Sequence, residues 1–235
     1  MKIFFMLQLG VRNNKQVLMM NEKQYIKRAE QFVKTFHNQD TTGHDWHHIS
    51  RVRNSALYIK EQEQSGNKFI IEMSALLHDI PDEKLNQSKE EGDRRLNNFL
   101  ESLHLEQKVK QEIISCISTV SFKGGKAYSK LSIEAQIVQD ADRLDAMGAL
   151  GIARAFAYSG ASGQEIYNPD LPVRTAMNEA EYRTGKSSAI NHFYEKLLKL
   201  KDLLHTNTAK RLANDRHLFM EAFLDEFFKE WNGQK

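Results

Sequence analysis

A single cysteine, Cys116, and only three prolines, Pro81, Pro169 and Pro172, occur in the 235 residues. One thiol cannot close an internal disulfide. The neighbours of Cys116 in "QEIISCISTV" are apolar, so it reads as a core residue in a reducing compartment. An excess of one charge sign is also missing. Lys plus Arg number 33 and Asp plus Glu 31, a formal net charge of +2. That balance argues against a general polyanion binder, although it leaves room for a local basic pocket. No basic recognition helix stands out, so no nucleic-acid partner is expected. Long hydrophobic runs are absent too. The opening "MKIFFMLQL" is interrupted by Gln8, lacks a small-residue cleavage site and is too short to span a bilayer. With no other candidate span, no membrane partner is expected, and the placement implied is cytoplasmic. The chain also lacks strand-like alternation, internal repeats, low-complexity stretches and a glycine-rich phosphate cradle.

What remains is helical periodicity, nearly unbroken, in a chain that is 40% hydrophobic and long enough for one sizeable domain. Tyr25, Ala29, Phe32, Val33 and Phe36 share one helix face. Ile49, Val52, Ala56 and Ile59 share another, which stops at Ser65-Gly66. "FIIEMSALLHDIP" reads as a buried helix ending at Pro81, and "RRLNNFLESLHL" and "QKVKQEIISCISTV" as two more. "FKGGKAYS" reads as a loop. "SIEAQIVQDADRLDAMGALGIARAF" reads as one long helix with Ile133, Ile137, Ala141 and Leu144 on a face. Residues 159–187, with three glycines and two prolines, form a long loop of the kind that closes over a ligand. Ile190, Phe193, Leu197, Leu200 and Leu204 mark a further helix. Thr206 or Thr208 caps the last one, whose Leu212, Phe219, Phe223 and Phe227 read as core packing. The expected fold is all-α and compact, a single domain over 20–235. Residues 1–19 read as an extension outside it, since a second plausible start, Met20, precedes the first periodic segment.

Three clusters interrupt these apolar faces. "GHDWHHISRV" holds His44, Asp45, His47 and His48. His78-Asp79 ends a helix that is otherwise apolar. "QDADRLDAMG" holds Asp140, Asp142 and Asp145, of which Asp142 and Asp145 lie three apart on one face. Each group alone reads as a solvated or capping residue. Together, imidazoles and carboxylates that converge in space are the donor set of a divalent metal site.

"HHISRV", "ALLHDIPDEK" and "QDADRLDAMGALGIAR" in this order resemble the HD-domain metal-dependent phosphohydrolase superfamily, and most of all its small stand-alone bacterial branch. The resemblance runs from about Met20 to Trp231. It implies that His48, three residues before Arg51-Val52, is the first ligand. It likewise implies that His78 and Asp79 are the pair naming the family and that Asp142 is the last ligand, with Asp140 as the competing choice. His44 and His47 then serve as supporting or substrate-facing groups, though His47 could equally be a surface residue. Two-metal relatives carry extra histidines between the pair and the last aspartate. Here that stretch holds only His104, so one divalent ion is expected, Mn²⁺ ahead of Mg²⁺ or Fe²⁺.

Relatives also place an acidic catalytic residue three positions after the pair, which is Asp82. A turn residue following Pro81 is the alternative, and Glu83 is the next carboxylate. Alarmone hydrolases of the superfamily carry Glu then Asp at these offsets, whereas this chain carries Asp82 then Glu83. The substrate contacts expected are His44, Lys84 and Lys196, with Arg143 a further cation beside Asp142. The implied activity is hydrolysis of nucleotides, above all of a nucleoside triphosphate to the monophosphate and pyrophosphate. The alternatives are a nucleotide monophosphatase or phosphodiesterase, then an alarmone hydrolase or a nucleotide-sensing module without turnover. The partner implied is a small-molecule nucleotide, and a homodimer is left open.

Overall fold

The structure is a computed structural model that describes residues 22–37, 45–83, 85–120, 130–175 and 185–234. The extension 1–19, the loop 121–129 and two expected substrate contacts, His44 and Lys84, lie outside the described residues. Among the described residues there are helices and no strand. The first helix, α1, covers 22–36. It is followed by α2 (Trp46–Glu63), α3 (Lys68–Leu77), α4 (Lys89–Ser102) and α5 (Gln107–Ile117). Then come α6 (Ile133–Asp145), α7 (Gly148–Ala161) and α8 (Ala189–Glu195). A 3₁₀ segment (Leu197–Leu203) leads into the final α9 (Asn207–Trp231).

Helix α3 is the axis of the fold. Asn67 caps it by accepting from the amides of Phe69 and Ile70, and every residue from Phe69 to Leu77 is buried. Helices α2, α5 and α6 pack around it. Its one acidic residue, Glu72, is tolerated because Arg53 of α2 bonds it, and the same guanidinium reaches Glu30 of α1 at 2.6 Å. Two apolar clusters result. Ala29, Val33, Met73, Leu77, Leu100 and Ile113 fill one. Ile71, Ile137, Leu144, Phe193, Ala213 and Met220 fill the other. Cys116 is buried in the second.

The sequence pattern is corrected in four places. The long helix expected from Ser132 onward is two helices. The α6 ladder ends at Ala146, Met147 is extended, and Gly148 sits at φ +70°, a left-handed conformation that only glycine adopts without strain. The helix expected through 190–204 breaks at Lys196 into α8 and the 3₁₀ segment. Leu197 and Leu200, three apart, still share a buried face because a 3₁₀ helix repeats every three residues. On α9, Phe219 is 54% exposed rather than core. Ala213, Met220 and Leu224 take the inward stripe, and Phe223 and Phe227 lie at its edge. The expected cap residue Thr206 does cap α9, accepting from Ala209 N.

The loop expected at 159–187 starts later, because α7 runs to Ala161. Its described part is tied down. Ala189 N donates to Glu165 O, Asn191 Nδ2 to Leu171 O, and Tyr167 packs edge-on against Phe227, Phe228 and Trp231. Residues 176–184, the middle of the expected closing segment, lie outside the described residues.

Candidate metal centre

The histidine-rich start of α2 separates into distinct roles. Asp45 is the N-cap and accepts from His48 N at 2.8 Å. His47 points to solvent, and His48 is buried at the seam of α2, α3 and α6. His78 is the C-cap of α3, with Asp79 following it, and both are buried. Asp142 comes from α6. His48, His78 and Asp142 offer donor atoms that all lie within 4.8 Å of one another. Asp79 joins them, with Oδ2 at 3.4 Å from His48 Nε2 and Oδ1 at 3.2 Å from His78 Nε2.

The hydrogen bonds on the far sides of the rings matter as much. His78 Nδ1 lies 2.8 Å from Ala75 O, an acceptor only, so Nδ1 carries the proton and donates it. His48 Nδ1 stands 2.7 Å from Asp145 Oδ2 and donates in the same way. Both rings therefore turn their Nε2 atoms toward the two carboxylates. His78 Nε2 is buried and makes no hydrogen bond among the described residues. Backbone carbonyls and carboxylates that fix the tautomer and aim of a ligating imidazole are the usual surroundings of metal-bound histidine. Two imidazole nitrogens, one of them buried without a hydrogen bond, and two carboxylates fit a divalent cation.

The electrostatics agree. Burial works against a charged His78, yet the Asp79 and Asp142 carboxylates outweigh it and push the ring up to about 9. Burial likewise opposes charge on His48, and its bonds to the Asp145 and Asp79 carboxylates raise it nevertheless. A centre negative enough to hold protons on two buried imidazoles is a centre that attracts cations. Burial would raise Asp142, but His78 and His48 hold its carboxyl below the usual range.

Asp140, the competing choice for the last ligand, belongs to a different part of the molecule. It is fully buried and accepts from His205 N (2.9 Å), Thr206 N (2.7 Å) and Thr206 Oγ1 (2.8 Å). Its carboxylate fastens the start of α9. His104, just past α4, is exposed and stands at φ +54°. Asp82 lies in the turn after Pro81, its amide donating to Asp79 O at 3.1 Å and its carbonyl accepting from Leu85 N. Arg143 turns away from the centre and donates to Leu203 O.

Beside the cluster opens a cavity of about 410 Å³, with Arg154, Arg174, His192 and Lys196 on its walls. Two of these link it to the cluster. Arg154 donates to Asp145 Oδ2 at 2.5 Å, the same oxygen that receives His48 Nδ1. Burial lowers the Lys196 ammonium, while Asp142 and Asp82 favour its charge. Glu83 lies on the same wall. Arg174 comes from the long loop and is held by the buried Glu195, which also accepts from Ser187 Oγ at 2.8 Å.

Several of these groups escape sequence reasoning. Asp145 is visible as a carboxylate sharing a face with Asp142, but its bond to His48 spans 97 positions of chain. Arg154, Arg174 and Glu195 carry no local signal.

The HD domain family model matches residues 45–147. The chain is 39% identical over 213 residues to the uncharacterized protein YpgQ of Bacillus subtilis (strain 168), covering 88% of this chain and 96% of that one. A solved Lactobacillus plantarum protein superposes with a TM-score of 0.82, at 37% identity over 89% of this chain and 98% of its own. An HD-superfamily hydrolase from Bacillus thuringiensis matches at a TM-score of 0.69 and 46% identity, over 90% and 98% of the two chains. YpgQ has also been solved in complex with ADP, matching at a TM-score of 0.69 and 36% identity over 87% and 97%. Likeness of this extent, in sequence and in fold together, means that the chain belongs to the HD-domain superfamily and is one of its metal-dependent hydrolases.

Proposed function

We propose that this protein hydrolyses nucleotides at one divalent ion, converting a nucleoside triphosphate to the monophosphate and pyrophosphate. The observation that carries the reading is a cation-lined cavity opening beside a cluster of two imidazoles and two carboxylates. Polyphosphates need cations, and the cavity brings Arg154, Arg174 and Lys196 to one volume. The ADP held by the related YpgQ supports a nucleotide as the occupant.

In this reading His48, His78, Asp79 and Asp142 hold the ion, with Mn²⁺ first among the candidates. When bound, the ion supplies Lewis acidity toward the phosphoryl group and toward the attacking water. Asp145 keeps the His48 ring in place, and Arg51, whose Nε donates to Asp145 Oδ1 at 2.7 Å, keeps Asp145 in place. Lys196 and Arg154 neutralise phosphate oxygens as negative charge builds on the leaving group. Asp82, held by its main chain in the turn that follows Asp79, orients the attacking water or takes its proton. His44 and Lys84 are proposed as further substrate contacts.

The test is a panel of nucleoside tri-, di- and monophosphates incubated with Mn²⁺-loaded protein, with pyrophosphate and orthophosphate assayed separately. Pyrophosphate in step with monophosphate supports the reading. Orthophosphate released from monophosphates would make the protein a phosphatase instead.

A further inference from the structure

The cavity does not end at its cations. Its wall along α7 is a single helix face, since Gly151, Arg154, Ala155, Tyr158 and Ser159 follow at steps of three, one, three and one. At 1.5 Å per residue, the eight steps from Gly151 to Ser159 carry this wall roughly 12 Å outward from the α6–α7 junction. Small side chains and Arg154 lie at the inner end, next to Asp145. Tyr158, Ser159 and Gln164 lie at the outer end.

Gln164 reaches that wall because of how α7 stops. Gly163 takes φ +65°, its amide donates to Gly160 O at 3.2 Å, and Gln164 N donates to Ser159 O at 2.8 Å. This double bond pattern with a left-handed glycine is a Schellman cap, which folds the next residue back over the last turn. The side chain is tethered as well, with Ser159 Oγ donating to Gln164 Oε1 at 3.3 Å. With its oxygen engaged, the amide has two N–H donors on Nε2, and no hydrogen bond from them is made among the described residues. Ser159 is itself buried.

We infer that this outer end is a nucleobase site, in which Gln164 donates to the edge of the base and the Tyr158 ring supports its face. The inference rests on the nucleotide reading above. A backbone-fixed amide is a group that distinguishes one base edge from another, because bases differ in where they carry acceptors. An aromatic ring accepts the flat face of any base. The inner cations serve the phosphates common to all nucleotides, so discrimination among nucleotides falls to the outer end. Gln164 is therefore the specificity-determining residue, and Ser159 positions it.

The experiment compares the full-length Mn²⁺-loaded wild type with Gln164→Leu and Gln164→Glu. It measures kcat and KM for ATP, GTP, CTP and UTP, and the inhibition constant of inorganic tripolyphosphate, which has no base. One lost hydrogen bond predicts that the spread of kcat/KM across the four bases contracts by about tenfold in Gln164→Leu, mainly through KM. Gln164→Glu, which replaces the donor by acceptors, should reorder the preference. Tripolyphosphate inhibition and metal content should stay at wild-type values in both. An unchanged order and spread of the four bases in both variants would overturn the inference, as would a wild type that does not distinguish them. A loss of tripolyphosphate inhibition equal to the loss for nucleotides would also overturn it, by placing Gln164 among the phosphate contacts. A wild type inert toward every nucleoside triphosphate is a different result, since it removes the nucleotide reading itself.

Discussion

Exchanging one carboxylate for an amide at Asp140 and at Asp142, two residues apart on α6, should produce opposite phenotypes. Asp140 is fully buried and receives His205 N, Thr206 N and Thr206 Oγ1 within 2.7–2.9 Å. In Asp140→Asn the amide oxygen can keep one of these donors, while the new NH₂ faces another donor. Leaving one or two buried donors unpaired costs about 1–3 kcal/mol each. Burial pushes the Asp140 carboxyl up, so removing its charge returns part of that cost. A net loss of about 2–4 kcal/mol is expected, which for a domain of this size is a fall in melting temperature of roughly 5–15 °C. Stoichiometric metal should remain. In Asp142→Asn the shape is kept and the side chain is 30% exposed, so the metal-free melting temperature should move by no more than a few degrees. Bound Mn²⁺ should be lost. The assay is elemental analysis and calorimetry on the same preparations, with and without chelator. If Asp140→Asn lost the ion at an unchanged melting temperature while Asp142→Asn kept it, the assignment of these two aspartates would be reversed.

Four other outcomes follow from the same structure. Chelation should lower the melting temperature of the wild type, by the equivalent of about 2.7 kcal/mol if the ion was at a hundred times its dissociation constant; His78→Ala should be insensitive to chelator, and an equal shift in both would show that the ion binds elsewhere. Asp82→Asn should retain metal and fold and lose about 10²-fold or more in kcat, and near-native turnover would return Asp82 to the role of a turn residue. Cys116, whose thiol is pushed up to about 12 by burial, should resist a thiol reagent at pH 8 until the chain is unfolded; rapid labelling of native protein would contradict its place in the core. Burial would raise Glu195, but bonds from Arg174 and Ser187 outweigh it and hold the carboxyl low, so its stabilisation is full above the ordinary value of 4.5 and fades as pH falls through the lower folded value. Glu195→Gln should thus lower the melting temperature at pH 7 and by progressively less as pH falls below 4.5, and a gap independent of pH would rule out the ionised clamp.

What could be read from the sequence depended on distance along the chain. Helix faces rest on spacings of three and four, so the apolar stripes of α2, α3 and α6 are visible as text, and His48, His78, Asp79 and Asp142 lie on these helices or just past their ends. Breaks were harder, because they turn on single residues. Met147-Gly148 reads as a continuation of helix until the positive φ of Gly148 is seen, and the step from Leu197 to Leu200 is common to α and 3₁₀ periodicity. Aspartates alternating with apolar residues were the least legible. Asp140, Asp142 and Asp145 have much the same neighbours in sequence, yet one fastens α9, one faces the two histidines and one orients His48. Their immediate neighbours do not separate them, because each has a defining partner more than sixty positions away: Thr206, His78 or His48. The support of the centre is more hidden than the centre itself. A cation-binding cluster must bring its donors onto a few rigid elements, which leaves a short motif. The residues that aim those donors need only one contact each, and any helix passing nearby can supply it, as α7 does with Arg154.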